Sequence, residues 1–233
     1  MTPVKTAVHV RDNGSVTAAA EKRLLEAIAR RLPAAINSDH LSALGLGAMA
    51  AAGAAFAALR VSRWAAAAVV VALAANWVGD SLDGTVARVR GQLRPRYGYY
   101  VDHVIDLAGA TLLFAGIGCS GVMHPLLAAL VLIGYLLVSA ETYLMTHAAG
   151  VFRMSFLGMG PTELRLLLAV GAIKAAVTPF VTLGDWPPVR LFDVGGVAAM
   201  AGLVVAFVAG AVRNTRALYA AEPIPVRQVS RVA

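Results

Sequence analysis

Charge is scarce in this chain. Charged residues make up 14% of 233 positions, where a soluble domain usually carries about 25%. Hydrophobic residues supply 59%, and the mean hydropathy is +0.72. A soluble globular class is therefore excluded in favour of an integral membrane protein. Cysteine is almost missing too. Cys119 stands alone, so no intrachain disulfide can form, and it reads as a small packing residue in an apolar run. The N-terminus lacks a contiguous apolar stretch, so no cleaved signal peptide is expected. Acidic residues are outnumbered, 13 against 20 Lys and Arg, for a net charge of +7. Such a balance suits nucleic acid, an anionic membrane surface or a phosphorylated substrate. The basic residues lie beside apolar runs, and no zinc-finger or RNA-binding signature is present, so no nucleic acid partner is expected.

What is present is a ladder of apolar segments. Residues 41–59, 64–79, 99–123, 125–147, 162–181 and 194–212 each approach the roughly 20 residues that a transmembrane helix needs. Lys174 interrupts the fifth, and Glu141 lies in the fourth. Backbone satisfaction in lipid favours helices, and long apolar runs argue against a barrel. Ahead of them, Leu24, Leu25, Ile28 and Leu32 recur at helical spacing within 16–32, among Lys and Arg. That pattern fits an amphipathic helix in the membrane interface. Ser38 or Asp39 is the expected cap of the first span. The expected architecture is an all-α membrane protein: residues 1–37 a polar N-terminus and interfacial helix, 38–214 six transmembrane helices, and 215–233 a polar tail. Arg88, Arg90, Arg94 and Arg96 lie on the same side as the basic termini, which places that side in the cytoplasm. A bacterial inner membrane is the expected location.

Four of the eight aspartates fall within 27 positions: Asp80, Asp83, Asp102 and Asp106. Carboxylates beside lipid are costly and mark functional sites. Asp80, Asp83, Gly84 and Ala87 fall at i, i+3, i+4 and i+7, one helical face. Asp102 and Asp106 share a face of the next span. The connecting loop is short, so the two spans are expected to pair as an antiparallel hairpin that joins the four acids. Ionised together they would repel, and a divalent cation removes the repulsion. An all-carboxylate set suits Mg²⁺, with Mn²⁺ or Ca²⁺ as alternatives. Four carboxylates can hold two ions, an arrangement that neutralises phosphates during phosphoryl-type transfer. Gly84 would let a ligand approach the helix closely, Ala87 would keep that face open, and Arg88 offers a planar phosphate donor.

The segment resembles the CDP-alcohol phosphotransferase family. That signature is Asp-x2-Asp-Gly-x2-Ala-Arg, a spacer of eight or nine, then Gly-x3-Asp-x3-Asp. All eight fixed positions are here, from Asp80 through Gly98 to Asp106, with residues 89–97 as the spacer. The resemblance implies a transferase that synthesises phospholipid: an alcohol hydroxyl attacks a CDP-linked donor and displaces CMP. It implies metal at Asp80, Asp83, Asp102 and Asp106, with Asp106 also a general base. Gly84, Ala87, Arg88 and Gly98 would line the CDP pocket, and a homodimer is expected.

The donor stays open between CDP-diacylglycerol, with a polar alcohol as acceptor, and a CDP-aminoalcohol, with a diacylglycerol as acceptor. His103 resembles the choline and ethanolamine phosphotransferase branch, where a histidine serves as base. The alternative is a histidine that fixes a carboxylate. That branch has Glu where this chain has Tyr99. Gly160-Pro-Thr-Glu163 is also similar to that branch. Glu163 then either contacts a head group or complements the helix dipole. Arg153 and Arg165 offer charge to an acceptor phosphate or to lipid head groups. Tyr97, Tyr99 and Tyr100 suit an interfacial belt. A divalent-cation transporter is the rival class, but it would spread its acids through the membrane depth, whereas these lie at one end.

Overall fold

The computed structural model describes residues 18–149, 161–182 and 184–224. Among these residues seven helices follow in order: α1 (Ala18–Arg31), α2 (Ser38–Ala58), α3 (Ala65–Val89), α4 (Pro95–Ser120), α5 (Pro125–Ala149), α6 (Pro161–Val177) and α7 (Leu191–Ala221). A two-residue antiparallel ladder, β1 (Phe180–Val181) with β2 (Val189–Arg190), joins α6 to α7 in the register Phe180 to Arg190. Helices α2, α3, α4, α5 and α7 are long and apolar enough to cross a membrane. The chain is thus an integral membrane protein of mainly helical architecture.

Helix α6 departs from the expected fifth span. It has 17 residues and stops at Val177, about 26 Å of helix at 1.5 Å per residue, against a hydrocarbon core of about 30 Å. Lys174 is not mid-span. It sits in the last turn, exposed, where a cation complements the carbonyl end of the dipole. The cap of α2 also differs from expectation. Asn37, not Ser38 or Asp39, is the N-cap: its side chain accepts from the His40 backbone N–H, and His40 Nδ1 accepts from Asn37 N–H. This closes a reciprocal box at the first turn.

Helix α2 organises the bundle. It packs against both α3 and α4, whereas α3 and α4 barely touch. The two spans bring their acids together across a short loop, as expected, but each packs mainly on α2 rather than on the other. Glycine permits the approach. A Cβ on Gly79 of α3 would stand 2.7 Å from the Gly45 nitrogen and the Leu41 oxygen of α2. A Cβ on Gly116 of α4 would run into the Gly53 backbone of α2, and one on Gly53 into Leu112. Lipid supplies no hydrophobic drive between helices, so close packing of small residues is what holds them. Phe56 of α2, fully buried, packs edge-to-face on Phe192 of α7 at 5.7 Å and fills the core with Val69 and Ile117.

One end of the bundle gathers the polar side chains. The start of α2, the end of α3, the start of α4 and the start of α6 meet there, with α1 laid across it. Leu25 and Ala29 of α1 are buried against Leu41, Leu82 and Val86, while Leu24 stays half exposed. Much of the amphipathic face is therefore spent on the bundle itself. Arg90, just past α3, fastens it further. Its guanidinium donates to the carbonyls of Leu32, Pro33 and Ile36 at 2.9, 3.1 and 2.6 Å. These carbonyls follow α1, so Arg90 caps the segment, adding to the Ile36 N–H that also donates to the Pro33 carbonyl.

Two substitutions test this packing in thermal unfolding of detergent-solubilised protein. Gly79→Ala places its methyl against backbone that cannot yield, and a loss of roughly 1–3 kcal/mol is expected. Gly47→Ala, with nothing within 4 Å of the added atom, should leave Tm unchanged or higher. Arg90→Ala should open the α1 connection to protease at native temperature, while the membrane helices remain protected.

Candidate active site

Asp80 projects from α3, and Asp102 and Asp106 project from α4, one turn apart. Each offers a carboxylate oxygen, and these three oxygens lie within 4.8 Å of one another. Oxygens on opposite sides of a hard divalent ion stand about 4–5 Å apart, so the three residues fit one such cation. Asp83 is the exception among the four. Its carboxylate is turned toward α2, where Ser42 Oγ donates to Oδ2 at 2.7 Å and the Gly84 N–H donates to Oδ1. It still exchanges Coulomb repulsion with Asp80, Asp102 and Asp106.

A cation already faces this cluster. Arg165 of α6 donates from Nη2 to Asp80 Oδ2 at 2.6 Å, and from Nε to Asn76 Oδ1 at 2.7 Å. Asn76, one turn before Asp80, is buried and donates from Nδ2 to the Gly45 carbonyl at 2.9 Å. Helices α6, α3 and α2 are thereby joined by one chain of polar contacts. The sequence reading sent Arg165 to a phosphate or to lipid head groups, and Asn76 drew no notice. A lone Asn within an apolar run, one turn before an acid, was the available signal.

His103 lies one residue beyond Asp102, on the neighbouring face of α4. It is buried, with its ring 4.0 Å from that of Tyr99 and 4.6 Å from that of Tyr143. Its Nδ1 is 2.6 Å from the Tyr99 carbonyl and 3.7 Å from Asp102 Oδ2. A carbonyl only accepts, so the Nδ1 position carries the proton, and the lone pair of the neutral ring belongs to Nε2. Opposite stands α5. Tyr135, Ser139 and Tyr143 repeat every fourth residue along it, and the charge of Asp106 acts on both tyrosines. The sequence reading missed this hydroxyl row, though its helical spacing in an apolar segment was visible.

The remaining expected residues are dispersed around the acids. Gly84 is exposed, and a Cβ there would meet nothing within 4 Å, so that part of α3 can be approached closely. Ala87 is buried and contributes packing rather than an open face. Arg88 is exposed, four residues beyond Gly84, and its Nη2 donates to Thr85 Oγ1 at 3.1 Å. Gly98, in the first turn of α4, is likewise open. Glu163 lies exposed in the first turn of α6, well placed for the helix dipole. Arg153 falls outside the described residues. Tyr97 packs under Arg94, which also pairs with Asp39. Tyr99 is committed to His103, and Tyr100 is exposed.

Comparisons with known proteins bear on the fold and the family. The chain is similar in fold to phosphatidylinositol phosphate synthase (PgsA1) of Mycobacterium tuberculosis. Against the structure with CDP-DAG bound, the TM-score is 0.54 at 20% identity, covering 84% of this chain and 92% of that one. Against the complex with manganese and citrate, it is 0.52 at 18% identity, covering 85% and 87%. No curated protein sequence matches the chain. The family model for CDP-alcohol phosphatidyltransferase matches residues 41–208, from the start of α2 into the second half of α7. With that match spanning most of the helices just described, the chain belongs to the CDP-alcohol phosphatidyltransferase family, whose members transfer substituted phosphate groups.

Proposed function

We propose that this transferase makes a phospholipid by displacing CMP from CDP-diacylglycerol with the hydroxyl of a polar alcohol. The convergence of Asp80, Asp102 and Asp106 within 4.8 Å carries the reading. The donor is chosen because the similar PgsA1 structure contains CDP-DAG. A CDP-aminoalcohol donor with a diacylglycerol acceptor is the second reading, favoured by His103 and by the Pro161-Thr-Glu163 start of α6.

Asp80, Asp102 and Asp106 would hold Mg²⁺, or Mn²⁺ as in the PgsA1 complex. Asp83, released from Ser42, would help hold a second ion. The metal supplies neutralisation of the pyrophosphate charge. The other steps belong to the chain. Gly84 and Gly98 leave room for the CDP moiety, and Arg88 donates to a phosphate oxygen. Asp106 takes the proton of the alcohol, whose oxygen then bonds to the phosphorus distal to cytidine as the bond to the CMP oxygen breaks. His103 is the competing base. With Nδ1 held by the Tyr99 carbonyl, Nε2 would receive the proton. Arg153 and Glu163 would flank the acceptor. The basic loops favour a cytoplasmic position for this end, and a bacterial inner membrane is the location that goes with this reading. Helix α6 would complete a sixth crossing with the ladder that follows it, and α1 would rest in the interface. The protein would act as a homodimer.

Purified protein in lipid nanodiscs, given a panel of CDP-linked donors and alcohols, should yield CMP and a new phosphodiester lipid, identified by mass spectrometry. Lipid formed only from CDP-aminoalcohols would select the second reading, and divalent-cation flux without CMP would overturn both. Asp83→Asn and Asp102→Asn should abolish CMP release. Asp106→Asn should slow turnover roughly 10²- to 10⁴-fold if it is the base. His103→Ala should then retain most of the rate, and the reverse pattern would assign the proton to His103.

A further inference from the structure

The contact of Arg165 with Asp80 is more than a chance ion pair, because the guanidinium is fixed from behind. The Gly45 carbonyl can only accept, so Asn76 must turn Nδ2 toward it, which leaves Oδ1 facing Arg165 Nε. Asn76 is 7% exposed, and the side chains of Arg165 and Asp80 are 16% and 29% exposed. A neutral framework from two other helices thus holds one positive charge on the edge of a three-carboxylate cluster, and that charge also reaches Asp106.

We infer that Arg165 and a divalent cation oppose each other at Asp80, so that Arg165 sets how tightly the cluster takes metal. The inference rests on the metal assignment proposed above. Asp80 Oδ2 already receives Arg165 at 2.6 Å. A dication on the same carboxylate would stand within a few ångströms of the guanidinium. At that separation, in a half-buried site, repulsion between a double and a single positive charge outweighs the gain from one hydrogen bond that orients the carboxylate. Coupling of this kind is reciprocal. Metal therefore weakens the contact of Arg165 with Asp80, the polar tie between α6 and α3. Arg165 in turn balances part of the acidic charge, which would otherwise destabilise the metal-free bundle.

The test is Mn²⁺ binding to the full chain in nanodiscs without substrate, followed by electron paramagnetic resonance, together with thermal unfolding with and without Mn²⁺. Arg165→Gln should bind Mn²⁺ roughly tenfold more tightly than the wild type, with a lower Tm in chelator and a larger Mn²⁺-induced rise. Arg165→Lys, which keeps the charge, should stay near the wild-type affinity. Arg165→Met, of similar length, carries the same expectation as Arg165→Gln should that variant fold poorly. Equal Mn²⁺ affinity, with Tm lowered alike in both conditions, would make Arg165 merely structural and overturn the inference. Weaker Mn²⁺ binding would overturn it as well, by making Arg165 an orienting partner. Absence of Mn²⁺ binding in the wild type and in every variant would instead remove the metal assignment itself.

Discussion

The close crossing of α2 with α3 and α4 is the constraint on which the rest depends. Two points of backbone contact define it, Gly45 with Gly79 and Gly53 with Gly116. A side-chain carbon on Gly79, Gly53 or Gly116 would meet backbone of the facing helix within 3 Å, so the distances between the three helices are set by main chain at these points. Asp80 lies one residue after Gly79. Its position relative to α2 is therefore fixed by the same contact that fixes the helix. Asp102 and Asp106 lie at the polar end of α4, whose other half is pinned at Gly116. Carboxylates on two helices that scarcely touch each other are brought within 4.8 Å by a third helix that contributes no acid to the cluster.

Helix α2 carries only one charged residue, Asp39, yet it supplies polar partners for the site. Ser42 Oγ donates to Asp83, and the Gly45 carbonyl accepts from Asn76, which positions Arg165. Buried polar atoms in an apolar setting need partners, because an unpaired one costs about as much as a lost hydrogen bond. The acids at this end are accordingly held from two sides, by a hydroxyl on α2 and by a guanidinium on α6. An arrangement of this kind limits the conformations open to each carboxylate, which favours a defined geometry toward a ligand.

The elements closest to the chemistry were legible in the sequence, because they depend on local spacing. Asp80, Asp83 and the open position at Gly84 on one helix, and Asp102 and Asp106 on the next, follow from the period of a helix, whereas Gly98 came only with the family resemblance. The long apolar helices were legible for the same reason. Contacts between distant segments were not. A short loop between α3 and α4 suggested a paired hairpin, but the glycines that decide the packing pair with α2, 34 and 63 positions away in sequence for Gly79 and Gly116. Arg165 showed its charge in the sequence, but its partner is 85 residues away. The helix of α6 ends ahead of Pro179, which cannot continue it, and Phe180 and Val181 instead pair with Val189 and Arg190. The apolar face of α1 was visible in the sequence, but not that Leu25 and Ala29 on it meet α3.

Glu141 shows how a costly group is tolerated away from the acids. The sequence offered no partner for a carboxylate inside α5. In the fold its Oε1 accepts from Asn214 Nδ2 of α7 at 2.6 Å. Gly210, one turn before Asn214, makes room: a Cβ there would sit 3.2 Å from Glu141 Oε2. At the opposite end of the same helix pair, the His124 N–H donates to Asp193 Oδ1 at 2.6 Å. Helices α5 and α7 are thus joined by polar contacts near both ends. Between those ends α7 buries little, with Phe192, Gly196 and Gly210 as its buried residues and a row of valines turned outward. Interhelical hydrogen bonds in a membrane contribute modestly, about 0.6 kcal/mol on average. Their value lies in register: two contacts separated by most of the length of a helix resist both sliding and rotation. That fixes the α5 face that turns Tyr135, Ser139 and Tyr143 toward Asp106.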